Sequence, residues 1–256
     1  MSKYKVLLAG ESWVSTSTHI KGFDQFATAT YHTGADELLA ALKGGPLDVR
    51  FMPSHEAQAQ FPQSLEAMQE YDAIVLSDIG ANTLLLHPDT WLKSKPTPNR
   101  LRLLRDYVRE GGALLMYGGY YSFQGINGGA RYHKTPIEEI LPVSCLPVDD
   151  RVEVPESFRP VVSGRADHPI LAGIGTEWPA LLGFNEVVVK DGADVLATVS
   201  TDYGSLPLLV AGTYGKGRTV VWTSDVGPHW LPNEFIAWNG YKALFEQQIL
   251  WAIGKD

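Results

Sequence analysis

The chain has 256 residues, 45% of them hydrophobic and 20% charged, with a formal charge of −8, and its lone cysteine, Cys145, excludes an intrachain disulfide and a thiolate metal centre. A chain of this size buries enough surface to fold without such staples, and its acidic balance, with no Lys/Arg run, excludes a non-specific nucleic-acid binder. No stretch approaches the ~20 apolar residues of a membrane span, and the run Val6–Ala9 is too short for a signal-peptide core, so a cytoplasmic location is expected.

In chain order, Tyr4 to Ala9 is predicted to be a buried strand, a short apolar run closed by turn residues. A loop is expected from Gly10 to about Asp24. Gly34 to Lys43 is predicted helical, with Leu38, Leu39 and Leu42 on one face and Gly44-Gly45-Pro46 as its stop. Asp48–Met52 and Tyr71–Ser77 read as strands. Asn99 starts a helix with Leu101, Leu104 and Val108 in register, Gly111-Gly112 ends it, and Ala113–Tyr117 is an apolar strand.

This alternation predicts an α/β fold, a mostly parallel sheet with helices on both faces. Residues from about 125 to 185 show little periodicity and are expected to form an irregular insertion. Glu186–Lys190, Val195–Val199, Pro207–Thr213 and Thr219–Thr223 follow in quick succession, which predicts a β-rich, antiparallel extension in the second half. Asn233 to Ile253 is predicted as one helix, with Trp238, Tyr241, Phe245 and Ile249 along a face. No repeat or linker divides the chain, so a single domain over residues 1–256 is expected.

Open α/β sheets bind ligands beyond the carboxyl ends of their strands. Four segments qualify: Gly10–Gly22, Asp78–Thr83, Gly118–Gly125 and Asp225–Trp230. The first offers Glu11, Ser12, Trp13 and His19, and the second Asp78 and Asn82. The third offers Tyr120, Tyr121 and Gln124, with Tyr120 where small residues on either side of a sharp turn would expose a side chain over the sheet. In the fourth, His229 has the side chain suited to proton transfer near neutral pH. Asp225 would orient it and Trp230 could stack on a ring. The expected catalytic set is therefore His229, Glu11 and Asp225, with the others binding substrate. Each also has a structural reading, since Asp, Asn, Ser and Gly are turn and cap formers.

The glycine-rich Gly212–Arg218 segment lacks the Ser/Thr of a phosphate loop and lies between two strands, so it reads as a hairpin turn. His55-Glu56 has no second His four residues on. The seven His show no paired metal-ligand spacing, and neither a metal nor a cofactor is expected.

The runs Gly10-Glu11-Ser12-Trp13, His19-Ile20-Lys21-Gly22-Phe23-Asp24, Met52–Ala57, Leu76–Thr83, and Gly118-Gly119-Tyr120 with Ser122-Phe123 resemble a bacterial family named for glutamine amidotransferases or simply as cytoplasmic proteins. It is similar to the trehalose-utilisation (ThuA-like) branch of the class I glutamine amidotransferase-like superfamily. The resemblance covers nearly the whole chain and implies a flavodoxin-like sheet and a homo-oligomer. Members with glutaminase activity use an elbow cysteine activated by a later His with an acidic partner. Here Tyr120 stands at the elbow and Cys145 lies 25 residues beyond it. His229 matches the late His, with Glu234 or Asp225 as its partner.

Three functions follow from these readings. One is an enzyme doing acid/base chemistry on a small polar metabolite; the resemblance adds a carbohydrate derivative as the class. The second is a non-catalytic binding or sensor module using the same pocket. The third is an assembly protein whose aromatic second half forms an oligomer interface. Hydrogen bonding of His229 to Asp225 or Glu11 in a polar pocket distinguishes the first.

Overall fold

The computed structural model describes residues 3–162, 167–202 and 204–255. Strand β1 (Tyr4–Gly10) is followed by a hairpin, β2 (Ser12–Lys21) and β3 (Asp24–Thr33). Helix Asp36–Leu42 leads to β4 (Leu47–Pro53), and helices Ser54–Gln60 and Leu65–Met68 lead to β5 (Ala73–Ser77). Helices Ala81–Leu85, Pro88–Lys93 and Arg100–Arg109 precede β6 (Ala113–Tyr117). Helix Pro136–Ile140 is followed by β7 (Val143–Cys145), β8 (Arg151–Phe158), β9 (Pro160–Val162), β10 (Leu181–Asn185) and β11 (Val187–Val189). The last strands are β12 (Asp194–Thr201), β13 (Gly204–Tyr214) and β14 (Gly217–Trp222), before helices Asn233–Ile236 and Tyr241–Ala252.

The main sheet runs β4-β1-β5-β6-β14-β13-β12-β9. Its first five strands pair in parallel, and β13, β12 and β9 continue it antiparallel. The parallel half has the flavodoxin order, with the chain leaving β1 toward β4 and returning on the other side to β5. That reversal opens a crevice at the carboxyl ends of β1 and β5. The predicted α/β class, parallel core and antiparallel extension are all present.

Because the parallel strands are buried on both faces, each is an apolar run and not an alternation. One face packs Val6, Leu8, Leu115 and Trp222 against helices 36–42 and 241–252. The other packs Leu7, Ile74 and Leu114 against Leu101, Leu104 and Val108 of helix 100–109. Arg100, at the start of that helix, is buried, and among the described residues no carboxylate pairs with it. Its guanidinium donates to the carbonyls of Leu84, Ala57 (3.2 Å), Gln58 (2.9 Å) and Thr83 (3.1 Å), tying three helices together. Burial lowers its pKa to about 10.

Three predicted elements differ. The expected loop Gly10–Gly22 is a strand of an exposed hairpin, because its Ser/Thr-rich residues pair with 24–33 and pack on no core. The expected helix 233–253 is broken between Ile236 and Tyr241; Gly240 abuts the Trp238 ring so closely that a Cβ there would lie 2.2 Å from it. The expected irregular segment 125–185, whose residues 163–166 lie outside the described ones, contains strands. β8 pairs with β10, and β7 pairs with β11, off the main sheet. Among the described residues no helix is long and apolar enough to cross a membrane.

Candidate functional site

Strand register sets the site. Gly10 pairs with Ser77, Ser77 with Tyr117, and Tyr117 with Trp222. The residues that follow, Glu11, Asp78, Gly118 and Thr223, therefore leave the sheet in a row. Glu11 (φ 45°) and Asp78 (φ 44°) both turn through the left-handed region, and Gly119 does so at φ 136°. Left-handed backbone costs about 1–2 kcal/mol for a residue with a Cβ, and here it turns two carboxyl groups into the crevice. Gly119 also has no space for a side chain, since a Cβ would lie 2.8 Å from Asp78 Oδ1.

A cavity of about 580 Å³ opens there, a size suited to a small metabolite. Glu11, Asp78 and Asp225 supply its acidic wall, and Trp13, Tyr120, Tyr121 and His229 its rings. Gly34, Gly227 and Pro228 complete it, and neither Lys nor Arg lines it among the described residues.

The carboxyl groups differ in state. Glu11 is buried, and Ser77 Oγ donates to its Oε1 at 2.5 Å. Burial, reinforced by the charges of Asp78 and Asp225, raises its pKa well above the usual carboxylate range. Asp78 Oδ1 accepts the Tyr121 amide at 2.6 Å. Burial still outweighs that bond, and the Asp78 pKa rises to about 6. Asp225 Oδ2 accepts the Trp230 amide (3.1 Å) and faces His229 Nδ1 at 2.7 Å. That bond to Asp225 raises the His229 pKa.

At the rim, Glu153 of β8 joins the rings. Its Oε1 accepts from Tyr120 Oη (2.8 Å) and from the Trp230 indole (3.3 Å), and lies 4.0 Å from His229 Nε2. The Tyr120 hydrogen bond lowers the Glu153 pKa. Burial, then Glu153, raises that of Tyr120, which stays a protonated donor. Tyr120 meets His229 edge to face, with ring centroids 4.5 Å apart, and Arg151 covers its ring at 5.1 Å.

The loop bearing Tyr120 is pinned from behind. Asn185 Oδ1 accepts the Gly119 amide (3.0 Å), and its Nδ2 donates to Asp150 Oδ1 (2.8 Å). Asp150 in turn accepts the amides of Gln124 (2.7 Å) and Gly125 (3.0 Å).

Of the residues expected at the site, seven line the cavity: Glu11, Trp13, Asp78, Tyr120, Tyr121, Asp225 and His229. The others lie elsewhere. The Ser12 hydroxyl accepts the Ser54 amide at 2.8 Å, fixing the hairpin to helix 54–60. His19 is near the far end of the hairpin, stacked on Phe26 at 4.6 Å, because β2 runs outward from the site. Asn82 is exposed on helix 81–85 and does not line the cavity. Gln124 braces its own loop through Gly128 O and the His133 amide. Trp230 is buried behind His229 and stacks on it.

Sequence reasoning missed Gly34, Asp150, Glu153 and Asn185. A Ser/Thr-rich pair of segments around Gly22 was the available signal for a hairpin that returns to Gly34. The other three lie in or beside the expected irregular segment, where no periodic pattern gives a residue's direction.

Cys145 is remote from the cavity. It sits in β7 within the core, burial raises its thiol pKa, and its carbonyl faces His133 Nδ1 at 3.0 Å. Among the described residues no group of three or more His, Cys, Asp or Glu could hold a metal ion.

Residues 5–253 match the family model GATase1_like, described as "Putative glutamine amidotransferase". The chain belongs to this family. It is 41% identical to the cytoplasmic protein STM3548 of Salmonella typhimurium, with a TM-score of 0.90 over 96% of this chain and 98% of that one. It is 45% identical to the cytoplasmic protein STM1381 of Salmonella typhimurium LT2, again at 0.90, over 97% and 99%. A ThuA-like protein of Parabacteroides merdae shares the fold at 15% identity, with a TM-score of 0.58 over 99% and 91% of the two chains. A comparison with curated proteins finds no match. Family membership fixes the architecture, while the chemistry must be argued from the cavity.

Proposed function

We propose that this family member works in the cytoplasm, as its Salmonella relatives are named, on a small, uncharged, hydroxyl-bearing metabolite, by acid/base chemistry and not by cysteine-dependent amide transfer. The observation that carries the reading is the His229–Asp225 contact of 2.7 Å at the wall of a cavity that contains no thiol. Asp225 Oδ2 accepts the hydrogen bond from Nδ1–H and so fixes the tautomer, which leaves Nε2 to exchange a proton with the ligand. Glu11, whose pKa burial raises, is the group on the acidic wall suited to donate. Asp78 and Asp225 accept from hydroxyls, and the rings of Trp13 and Tyr121 cover apolar ligand edges.

Anionic ligands fit poorly. Three carboxyl groups face the cavity without a Lys or Arg to balance a phosphate or carboxylate. A neutral carbohydrate derivative satisfies both the acidic wall and the aromatic rings.

A thermal-shift screen of neutral sugars and polyols, amino acids and nucleotides tests the reading. Neutral polyhydroxylated compounds should raise Tm with concentration. His229→Gln should reduce turnover of the hit about 100-fold or more, the usual scale of a lost acid/base group, while keeping most of the binding. Turnover unchanged in His229→Gln would reject the catalytic role of His229, and a hit bound without any turnover by the wild type would leave a binding module. Glutamate release from glutamine, abolished by Cys145→Ala, would reject the whole reading.

A further inference from the structure

The hairpin β2–β3 projects from the body as an arm of ten residue pairs, roughly 30 Å long at the rise of a strand. From Trp13 to Tyr31 every residue is exposed, and Val14 (56%), Ile20 (72%) and Phe23 (fully) are exposed apolar side chains. A lone two-stranded hairpin is marginal in water. Sheet edges are normally guarded by charge or proline. Here neither Ser12–Ile20 nor Gln25–Thr33 contains a Pro, Asp, Glu, Lys or Arg. The arm is built to be covered.

Its side-chain pattern says by what. Cross-strand pairs share a face and successive pairs alternate. One face has Trp13/His32 at the root, stacked at 5.3 Å, and His19/Phe26 near the tip, stacked at 4.6 Å. Only the hydroxyl residues Ser15, Thr30, Ser17 and Thr28 lie between them. The opposite face repeats the scheme, with Val14/Tyr31 at the root, Ile20/Gln25 near the tip, and Thr16/Ala29 and Thr18/Ala27 between.

Large–small–small–large is the same pattern when read from either end. A second arm laid antiparallel on the first sets root rings against tip rings and small centres against each other. That is the self-complementarity a two-fold axis demands.

We propose that the arm is the interface of a two-fold dimer of this chain, in which two arms pack antiparallel and each tip reaches the mouth of the partner's pocket. Trp13 belongs to both the arm root and the cavity wall. A tip laid on that root therefore lies beside the cavity. It brings the tip pair Lys21/Asp24, in which Lys21 is the arm's one Lys or Arg, to an acidic wall that no Lys or Arg lines among the described residues. The dimer rests on the arm alone, and only the placing of the tip rests on the pocket reading.

Sedimentation equilibrium of the full chain at micromolar concentration should give twice its 28.1 kDa mass. Ile20→Asp combined with Phe26→Asp should weaken association at least tenfold, with an unchanged circular dichroism spectrum in a chain whose core those residues do not touch. A monomeric wild type, or a dimer as tight in this variant, overturns the proposal and gives the arm a different occupant. For the tip, Lys21→Cys with Tyr121→Cys should form a disulfide between chains under oxidation and none in the Ile20→Asp/Phe26→Asp background. An arm-dependent dimer without that crosslink overturns the placing of the tip. These readouts need no ligand, so they fail separately from the ligand screen.

Discussion

Asp78 shows how one half-buried residue makes stability depend on pH. Its pKa is about 6 in the folded protein, against 3.8 for the free side chain. A raised folded pKa means that the native state holds the proton more tightly. The stabilisation is complete below about pH 4 and is lost as pH rises through 6. Two units correspond to about 3 kcal/mol. Asp78→Asn keeps the acceptor for the Tyr121 amide and tolerates φ 44°, but has nothing to titrate. Urea unfolding should find the variant about 2–3 kcal/mol more stable than wild type at pH 8 and near equal at pH 4. An equal difference at both pH values would show that burial of the charge is not the cause. Glu11, Asp78, Tyr120, Asp225 and His229 were legible in the sequence because each stands just past a strand whose apolar run was clear. Glu153 and Asn185 were not, since their importance comes from the partners they meet: Tyr120 Oη for Glu153, and the Gly119 backbone for Asn185.

At the scale of elements, the site depends on loops held by buried polar groups. The segment Gly118–Gly125 is fixed by Asn185 and Asp150, so Asn185→Ala leaves the Gly119 amide and an Asp150 oxygen short of a partner. The cost should be about 2 kcal/mol by denaturant unfolding, with a larger proportional loss of ligand-induced Tm shift than Cys145→Ala produces. Arg100 does the same for helices 54–60 and 81–85, the second of which follows Asp78 closely. Arg100→Met should cost about 3 kcal/mol, because buried carbonyls lose charged donors. Smaller losses would mean that water replaces the guanidinium. The sequence showed the helix at 100–109 through Leu101, Leu104 and Val108 at helical spacing. It could not show that Arg100, a residue type normally exposed, turns inward. The hairpin escaped for the opposite reason. Periodicity detects a buried face, and β2 and β3 bury none against this chain's core. The helix 233–253 was overcalled because Trp238 and Tyr241 keep helical spacing across a break that packing at Gly240 imposes.

For the molecule as a whole, the parallel half of the sheet provides the crevice and the antiparallel half extends the core without adding to the pocket. Folding of the body should therefore survive loss of the arm, while association should not. If Ser15–Thr30 are replaced by a short glycine-rich turn, the chain should still unfold in one cooperative transition. Wild-type Tm should rise with protein concentration, as for any species stabilised by self-association, and Tm of the shortened chain should not. The residue joining body and arm is Glu11. Its amide donates to Ser77 O of the sheet, its carbonyl accepts the Gly34 amide closing the hairpin root, and its carboxyl forms the floor of the cavity, all within 2.9 Å contacts. A single deuterium clock follows from this arrangement: the Gly34 amide exchanges only when the root opens, so anything that clamps the arm or fills the cavity should slow the same proton.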